Sequence, residues 1–306
     1  MALKLKKRSY QEFFGSWFKF PDPDGVAESY WSGTALAFTE TQWHEKFREM
    51  ADLGLKTVLL GPPVANGKSF YPSDLGESWK TGCPDLVKTF FESAEELGME
   101  IYLGAGNFDI DLTRAEELGR RYGHHRSFAG WQLVSEEANS TELNSEFAMR
   151  LNRSIEKLRG IAEKPVSVSL SARAAAEEEG FADRLQELRA DQLVYRDGVG
   201  MRANEPADLP EVYGRLAEIH RDADIPLWAC VELFAYEGLI GKSALIPAAF
   251  SRVKTQIETI SMYAEALFCC QYFGLMNPGS SSVFVGHESS ATLHYDYGEW
   301  RQNQVA

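Results

Sequence analysis

The chain has 306 residues, 44% of them hydrophobic, 12% aromatic and 25% charged, a globular composition that excludes a disordered or collagen-like polymer. Its 31 Lys+Arg against 45 Asp+Glu give a formal net charge of -14, which argues against any partner held by phosphate neutralisation, and so against nucleic acid. No stretch reaches the ~18 apolar residues of a membrane span, and the basic N-terminus MALKLKKRSYQEFF lacks an apolar h-region, so a soluble, cytoplasmic chain with no membrane partner is expected.

Short β-type runs alternate with longer segments of helical period, the mark of βα units. Residues 1–30 are expected as an extension whose aromatics Phe13, Phe14, Trp17 and Phe18 pack on the outside of the remaining fold. Residues 33–38 (GTALAF) read as a first strand, followed by a helix carrying Trp43, Phe47 and Met50 at i, i+4, i+7 and stopped by Gly54. A second strand at 57–61 (TVLLG) leads through a long loop to the stripe Leu86, Phe90, Ala94, Leu97, ended by Gly98. The third strand is 100–106 (EIYLGAG), and Thr113 with Glu116 predicts a capping box at the start of the next helix.

The fourth strand spans 128–136 (FAGWQLVSE), backed by a helix with Leu143, Phe147, Leu151, Ile155 and Leu158. Residues 165–172 (PVSVSLSA) and 192–199 (QLVYRDGV) supply the fifth and sixth strands, with a helix around Leu185 and Leu188 between them. A helix with Leu209, Val212, Leu216 and Ile219 precedes the seventh strand, 226–234 (PLWACVELF), and a helix over about 251–264 precedes the eighth, 266–277 (ALFCCQYFGLMN). Eight strands without a linker favour one (β/α)8 barrel over residues 31–306, the rival being an open doubly wound sheet. The GxG near Gly104 lacks a third glycine and an opening helix, so no dinucleotide cofactor is expected.

Functional groups of such a barrel lie at the C-terminal ends of its strands. Period two groups Trp228, Cys230 and Glu232 on one face of the seventh strand and Leu227, Ala229 and Val231 on the other. The aliphatic set belongs against the helices, so Glu232 points inward at the mouth. The same parity on the fourth strand groups Gln132, Val134 and Glu136, while Glu137 has the opposite parity. Two carboxylates on opposite sides of a barrel mouth suit acid/base work at one bond, and Asp197 ends the sixth strand as a third.

Flat faces for sugar stacking are offered by Phe70, Tyr71 and Trp79 in the loop after the second strand, and by Trp228 and Tyr272 on strands. Asn107, Gln132, Tyr195 and Asn277 complete the substrate-binding candidates. The four cysteines, Cys83, Cys230, Cys269 and Cys270, form no CxxC and read as buried reduced thiols. His44 and His220 lie in helices, His124 and His125 at the barrel's bottom, and only His287 and His294 could fold over the mouth. With no HxxxH, HExxH or GxSxG, neither a metal nor a serine nucleophile is expected, and a metal-dependent sugar isomerase is the weaker enzyme reading.

The segments GWQLVSE (130–136), RDGVG (196–200), YPS (71–73) and LWACVELF (227–234) resemble the DUF4434 family of glycoside-hydrolase-like barrels, over roughly residues 30–280. The resemblance implies a (β/α)8 fold and a carbohydrate ligand. A broader similarity is to retaining glycosidases of the clan-A type, which implies Glu136 as acid/base and Glu232 as nucleophile. Ser135 stands where that clan usually carries Asn. The expectation is a retaining glycoside hydrolase without cofactor, Asp197 assisting by charge or by a sugar hydroxyl contact; the other class is a saccharide-binding barrel without turnover.

Overall fold

The computed structural model describes residues 10–108, 110–134 and 143–305. Eight parallel strands close into a barrel: β1 (Phe13–Phe18), β2 (Thr57–Leu60), β3 (Glu100–Gly106), β4 (Phe128–Val134), β5 (Val166–Ser171), β6 (Gln192–Arg196), β7 (Leu227–Glu232) and β8 (Ala266–Cys270). Each pairs with its successor, and β8 pairs with β1 to close the ring. Around it lie α1 (Ser32–Ala37), α2 (Glu40–Asp52), α3 (Leu86–Leu97), α4 (Leu112–Tyr122), α5 (Ser145–Ile161), α6 (Ala172–Glu177), α7 (Phe181–Glu187), α8 (Leu209–His220), α9 (Phe250–Ile260) and α10 (Ser289–Val305).

Seven strands begin at or next to the residue where the sequence puts them, the eighth ending at Cys270 instead of Asn277; the first strand is elsewhere. Phe13–Phe18, expected in an outer extension, is β1 itself, and the run GTALAF is helical in α1. Ala and Leu are strong helix formers, and a short apolar run has no periodicity that separates strand from helix. The aromatics of β1 divide between the faces of the barrel. Phe13 and Phe18 point outward, Phe13 onto Tyr297 of α10 at 4.9 Å and Phe18 onto Trp43 and Phe90. Trp17 is half-buried, and Phe14, at a register shift, stays 37% exposed.

Capping residues set the helix ends. Thr39 and Gln42 form a capping box on α2, and Asp85 caps α3, which Gly98 ends at φ 66°. α4 starts before the expected Thr113–Glu116 box, because Asp111 accepts the Arg114 N–H and satisfies a free first-turn donor there. Beyond β8, residues 271–277, expected as strand, leave the barrel and anchor on α2. The buried Lys46 ammonium donates to Glu49 Oε2 (2.7 Å), Asn277 Oδ1 (2.9 Å) and Ser281 Oγ (3.2 Å). All four cysteines are buried free thiols, and among the described residues no helix is long and apolar enough to cross a membrane.

Candidate active site at the barrel mouth

Strand register places Trp17 of β1, Cys270 of β8 and Glu232 of β7 in one row, since Trp17 pairs with Cys270 and Cys270 with Glu232. This row lies at the C-terminal ends of the strands. Glu232 is the last residue of β7 and only 2% exposed. Its Oε2 accepts the Met201 N–H at 2.8 Å. Met201 reaches it because the RDGVG segment folds back over the mouth. Gly198 takes φ 71°, and at Gly200 a Cβ would lie 2.7 Å from the Phe234 carbonyl oxygen, so both glycines are required by the turn.

Asp197 stands behind Glu232 rather than beside it in the mouth. It is 0% exposed. Its Oδ1 accepts the N–H groups of Val199 and Glu232, both at 3.2 Å, and its Oδ2 accepts Gln256 Nε2 of α9 at 2.5 Å. So enclosed, it has no oxygen open to a sugar hydroxyl; the expected hydroxyl contact is corrected, and what the geometry leaves it is an effect through Glu232. Arg252 of α9 closes the arrangement, its Nη2 donating to the carbonyls of Glu232 (2.6 Å) and Phe234 (2.9 Å) and its Nε to Gln256 Oε1.

Burial pushes the Glu232 carboxyl up to about 7, and the nearby Asp197 charge adds to the rise. The Met201 amide, Arg196 and Arg252 oppose it. Burial likewise raises Asp197, against its three hydrogen-bond donors and Arg252. The pair thus resists carrying two negative charges at once. Tyr236, unremarked in the sequence, donates from its hydroxyl to Met201 Sδ at 3.2 Å and faces the Glu232 charge.

Glu136 lies outside the described residues, as do Ser135 and Glu137. Trp228, Gln132 and Tyr195 sit away from the mouth, for identifiable reasons. Trp228, the second residue of β7, packs inside the barrel's lower end against Tyr102 (6.1 Å) and Phe268 (5.2 Å). Gln132 is buried in mid-barrel, donating to Ser169 Oγ at 2.8 Å. Tyr195 points outward, its hydroxyl 2.8 Å from His220 Nε2. His220 Nδ1 faces the Ile225 carbonyl and burial keeps the ring neutral, so Nε2 is the acceptor.

Tyr71 is fully buried and, with Ser73, donates to Glu117 of α4, so the YPS segment anchors its loop. Tyr272 is enclosed beside His294 of α10, and Asn277 is committed to Lys46; both lie outside the barrel wall. That puts His294 off the mouth, whereas His287 reaches Tyr30, whose hydroxyl binds Glu237 beyond β7. Trp79 is half-buried in the loop after β2 with Lys68 over its ring at 5.3 Å, and Asn107 is exposed just beyond β3. Among the described residues no group of three His, Cys, Asp or Glu could hold a metal ion.

A sequence profile described as a domain of unknown function, DUF4434, matches residues 14–282. The chain belongs to the DUF4434 family. No curated protein sequence matches this DUF4434 chain. In structure it resembles a protein from Bacteroides thetaiotaomicron described as a "putative alpha-L-fucosidase", at TM-score 0.72 and 15% identity, over 99% of this chain and 97% of that one. A glycoside hydrolase family 5 mannosidase from Rhizomucor miehei matches at 0.59 and 10%, over 95% and 94%. An endo-beta-1,4-mannanase from Thermotoga petrophila matches at 0.57 and 10%, over 96% and 77%. The DUF4434 chain therefore shares the (β/α)8 barrel fold of these structures.

Proposed function

We propose that this chain is a glycoside hydrolase that works with retention, Glu232 acting as nucleophile and Glu136 as acid/base. The observation that carries the reading is Glu232 itself: a carboxylate ending an inward row of β7 at the barrel mouth, with one oxygen held by the Met201 amide. In the first step a Glu232 oxygen bonds to the anomeric carbon while the glycosidic C–O bond breaks, and Glu136 gives its proton to the departing oxygen. In the second, Glu136 takes a proton from water, whose oxygen displaces Glu232, and both carboxyls return to their starting states. The Met201 N–H and Arg252 favour the anionic form that attack requires. Asp197 is a positioning residue, holding the Glu232 backbone and, through Gln256, tying β7 to α9.

A panel of aryl glycosides read with wild type and Glu232→Gln tests this. Hydrolysis by the wild type and at least about a 1000-fold loss of kcat in the variant are expected, with sugar affinity kept within about tenfold, since lost transition-state stabilisation appears in rate. Sugar binding without hydrolysis of any glycoside would make the barrel a binding module. An unchanged kcat in Glu232→Gln would remove Glu232 from the reaction.

A further inference from the structure

Next to Glu232 the mouth contains a small pocket of about 60 Å³. It starts one strand away in the same row, because Cys270, which pairs with Glu232, and Trp17, which pairs with Cys270, both line it. Trp31, Phe234, Leu245 and Leu275 supply the rest of its apolar wall. The volume admits a methyl group but not a sugar ring, whose carbon skeleton alone is several times larger.

The polar residues at the pocket are turned on one another. Lys19 Nζ binds Glu28 Oε1 at 2.7 Å, and Glu28 Oε2 accepts from the Asp22 N–H and the Ser32 hydroxyl. Gln271 accepts the Lys19 N–H and donates to the Phe273 carbonyl. The indole N–H groups of Trp17 and Trp31 are donors without an acceptor, but both nitrogens are closed off from solvent and hence from the pocket's open space. Away from the Lys19–Glu28 pair the pocket presents carbon, and a hydroxyl seated against Trp31, Leu245 and Leu275 would lose its water without gaining a hydrogen bond.

Taking Glu232 as the reaction centre, we infer that this pocket receives a methyl group carried by the substrate sugar, from C6 of a 6-deoxyhexoside or from an acetamido substituent. The pocket selects the glycone that the proposed chemistry acts on. A hexose of the same configuration with a C6 hydroxyl has the ring contacts but leaves its hydroxyl unpaired.

Matched pairs of aryl glycosides test the inference: L-fucoside against L-galactoside, L-rhamnoside against L-mannoside, and N-acetylglucosaminide against glucoside. The methyl-bearing member of at least one pair is expected to be favoured 10- to 100-fold in kcat/KM, the range an apolar pocket achieves against an added hydroxyl; the favoured pair identifies the source of the methyl. Leu245→Asn, at a half-buried position lining the pocket, should narrow that ratio to about threefold. Leu245→Phe, which fills the space with carbon, should depress the methyl-bearing substrate selectively. Equal kcat/KM in every pair would overturn the inference while leaving hydrolysis standing. If no glycoside is cleaved, the hydrolase reading fails, and calorimetry with free L-fucose and L-galactose, L-rhamnose and L-mannose, and N-acetylglucosamine and glucose still decides the pocket: affinities within twofold in every pair would overturn it.

Discussion

Glu232 carries an acid-base conflict that its surroundings set by opposing forces. Burial and the Asp197 charge raise its carboxyl from an ordinary 4.5 to about 7, against the Met201 amide and two arginines. A nucleophile must be ionised, so kcat/KM should rise with pH through about 7. Asp197→Asn removes a neighbouring negative charge while keeping an oxygen for the Val199 and Glu232 amides, so that rising limb should move to lower pH. A limb unmoved in Asp197→Asn, or one that falls through pH 7, would contradict the roles assigned here. Stability carries the same signature with the opposite sign. Between the unfolded value of 4.5 and about 7 the folded state binds more protons than the unfolded one, so unfolding free energy contributed by Glu232 is full below 4.5 and declines as pH rises through 7. Denaturant midpoints measured from pH 5 to 8 should therefore fall for the wild type and fall less steeply for Glu232→Gln.

At the level of elements, sequence periodicity placed β2 to β8 well because each is a short apolar run bounded by helices with strong stripes. VSVSLS alternates cleanly, and EIYLGAG is followed by a capped helix. The inward parity of Glu232 could be read from LWACVE for the same reason. What could not be read were the partners brought by other elements. Gln256 and Arg252 lie on an outer helix and meet the mouth only because α9 packs behind β7. The substrate-binding candidates Tyr71, Tyr195 and Tyr272 are aromatics whose hydroxyl or ring is drawn into helix packing, and no local pattern distinguishes that use from sugar binding. Lys46 is a further case: a lysine in the middle of an amphipathic helix, buried by the chain beyond β8. Its three acceptors compensate the desolvated charge, and removing it strands Glu49, itself 8% exposed. Lys46→Met should cost about 3–5 kcal/mol, the usual loss when one partner of a buried pair is deleted. Adding Glu49→Gln should recover part of it. A urea titration showing less than about 1 kcal/mol for the single variant would place the pair in solvent.

At the scale of the whole molecule, barrel closure rests on the segment hardest to assign from sequence. FFGSWF reads as aromatic ballast because it lacks alternation, yet a strand buried on both faces has no need of alternation. β1 bridges β8 and β2, and its loss would leave two unpaired parallel edges on a sheet whose curvature depends on being closed. α10 adds to the closure from outside: the Phe13 N–H donates to the Tyr297 hydroxyl at 2.8 Å and their rings stack. β1 also brings Trp17 to the mouth, so fold and site depend on the same six residues. A chain lacking residues 1–30, harmless if they were an outer extension, should therefore fail to form a monomeric folded barrel. The intact chain should unfold cooperatively, and the shortened one should aggregate or lack near-ultraviolet circular dichroism. A further variant, Gly15→Val, separates closure from the bulk loss of aromatic surface. A Cβ at Gly15 would lie 2.1 Å from the Thr57 carbonyl oxygen, so this substitution wedges β1 off β2 with every aromatic retained. It should lower the unfolding midpoint strongly, and a shortened chain that stayed folded, or a Gly15→Val protein as stable as wild type, would show that the barrel does not need β1 to close.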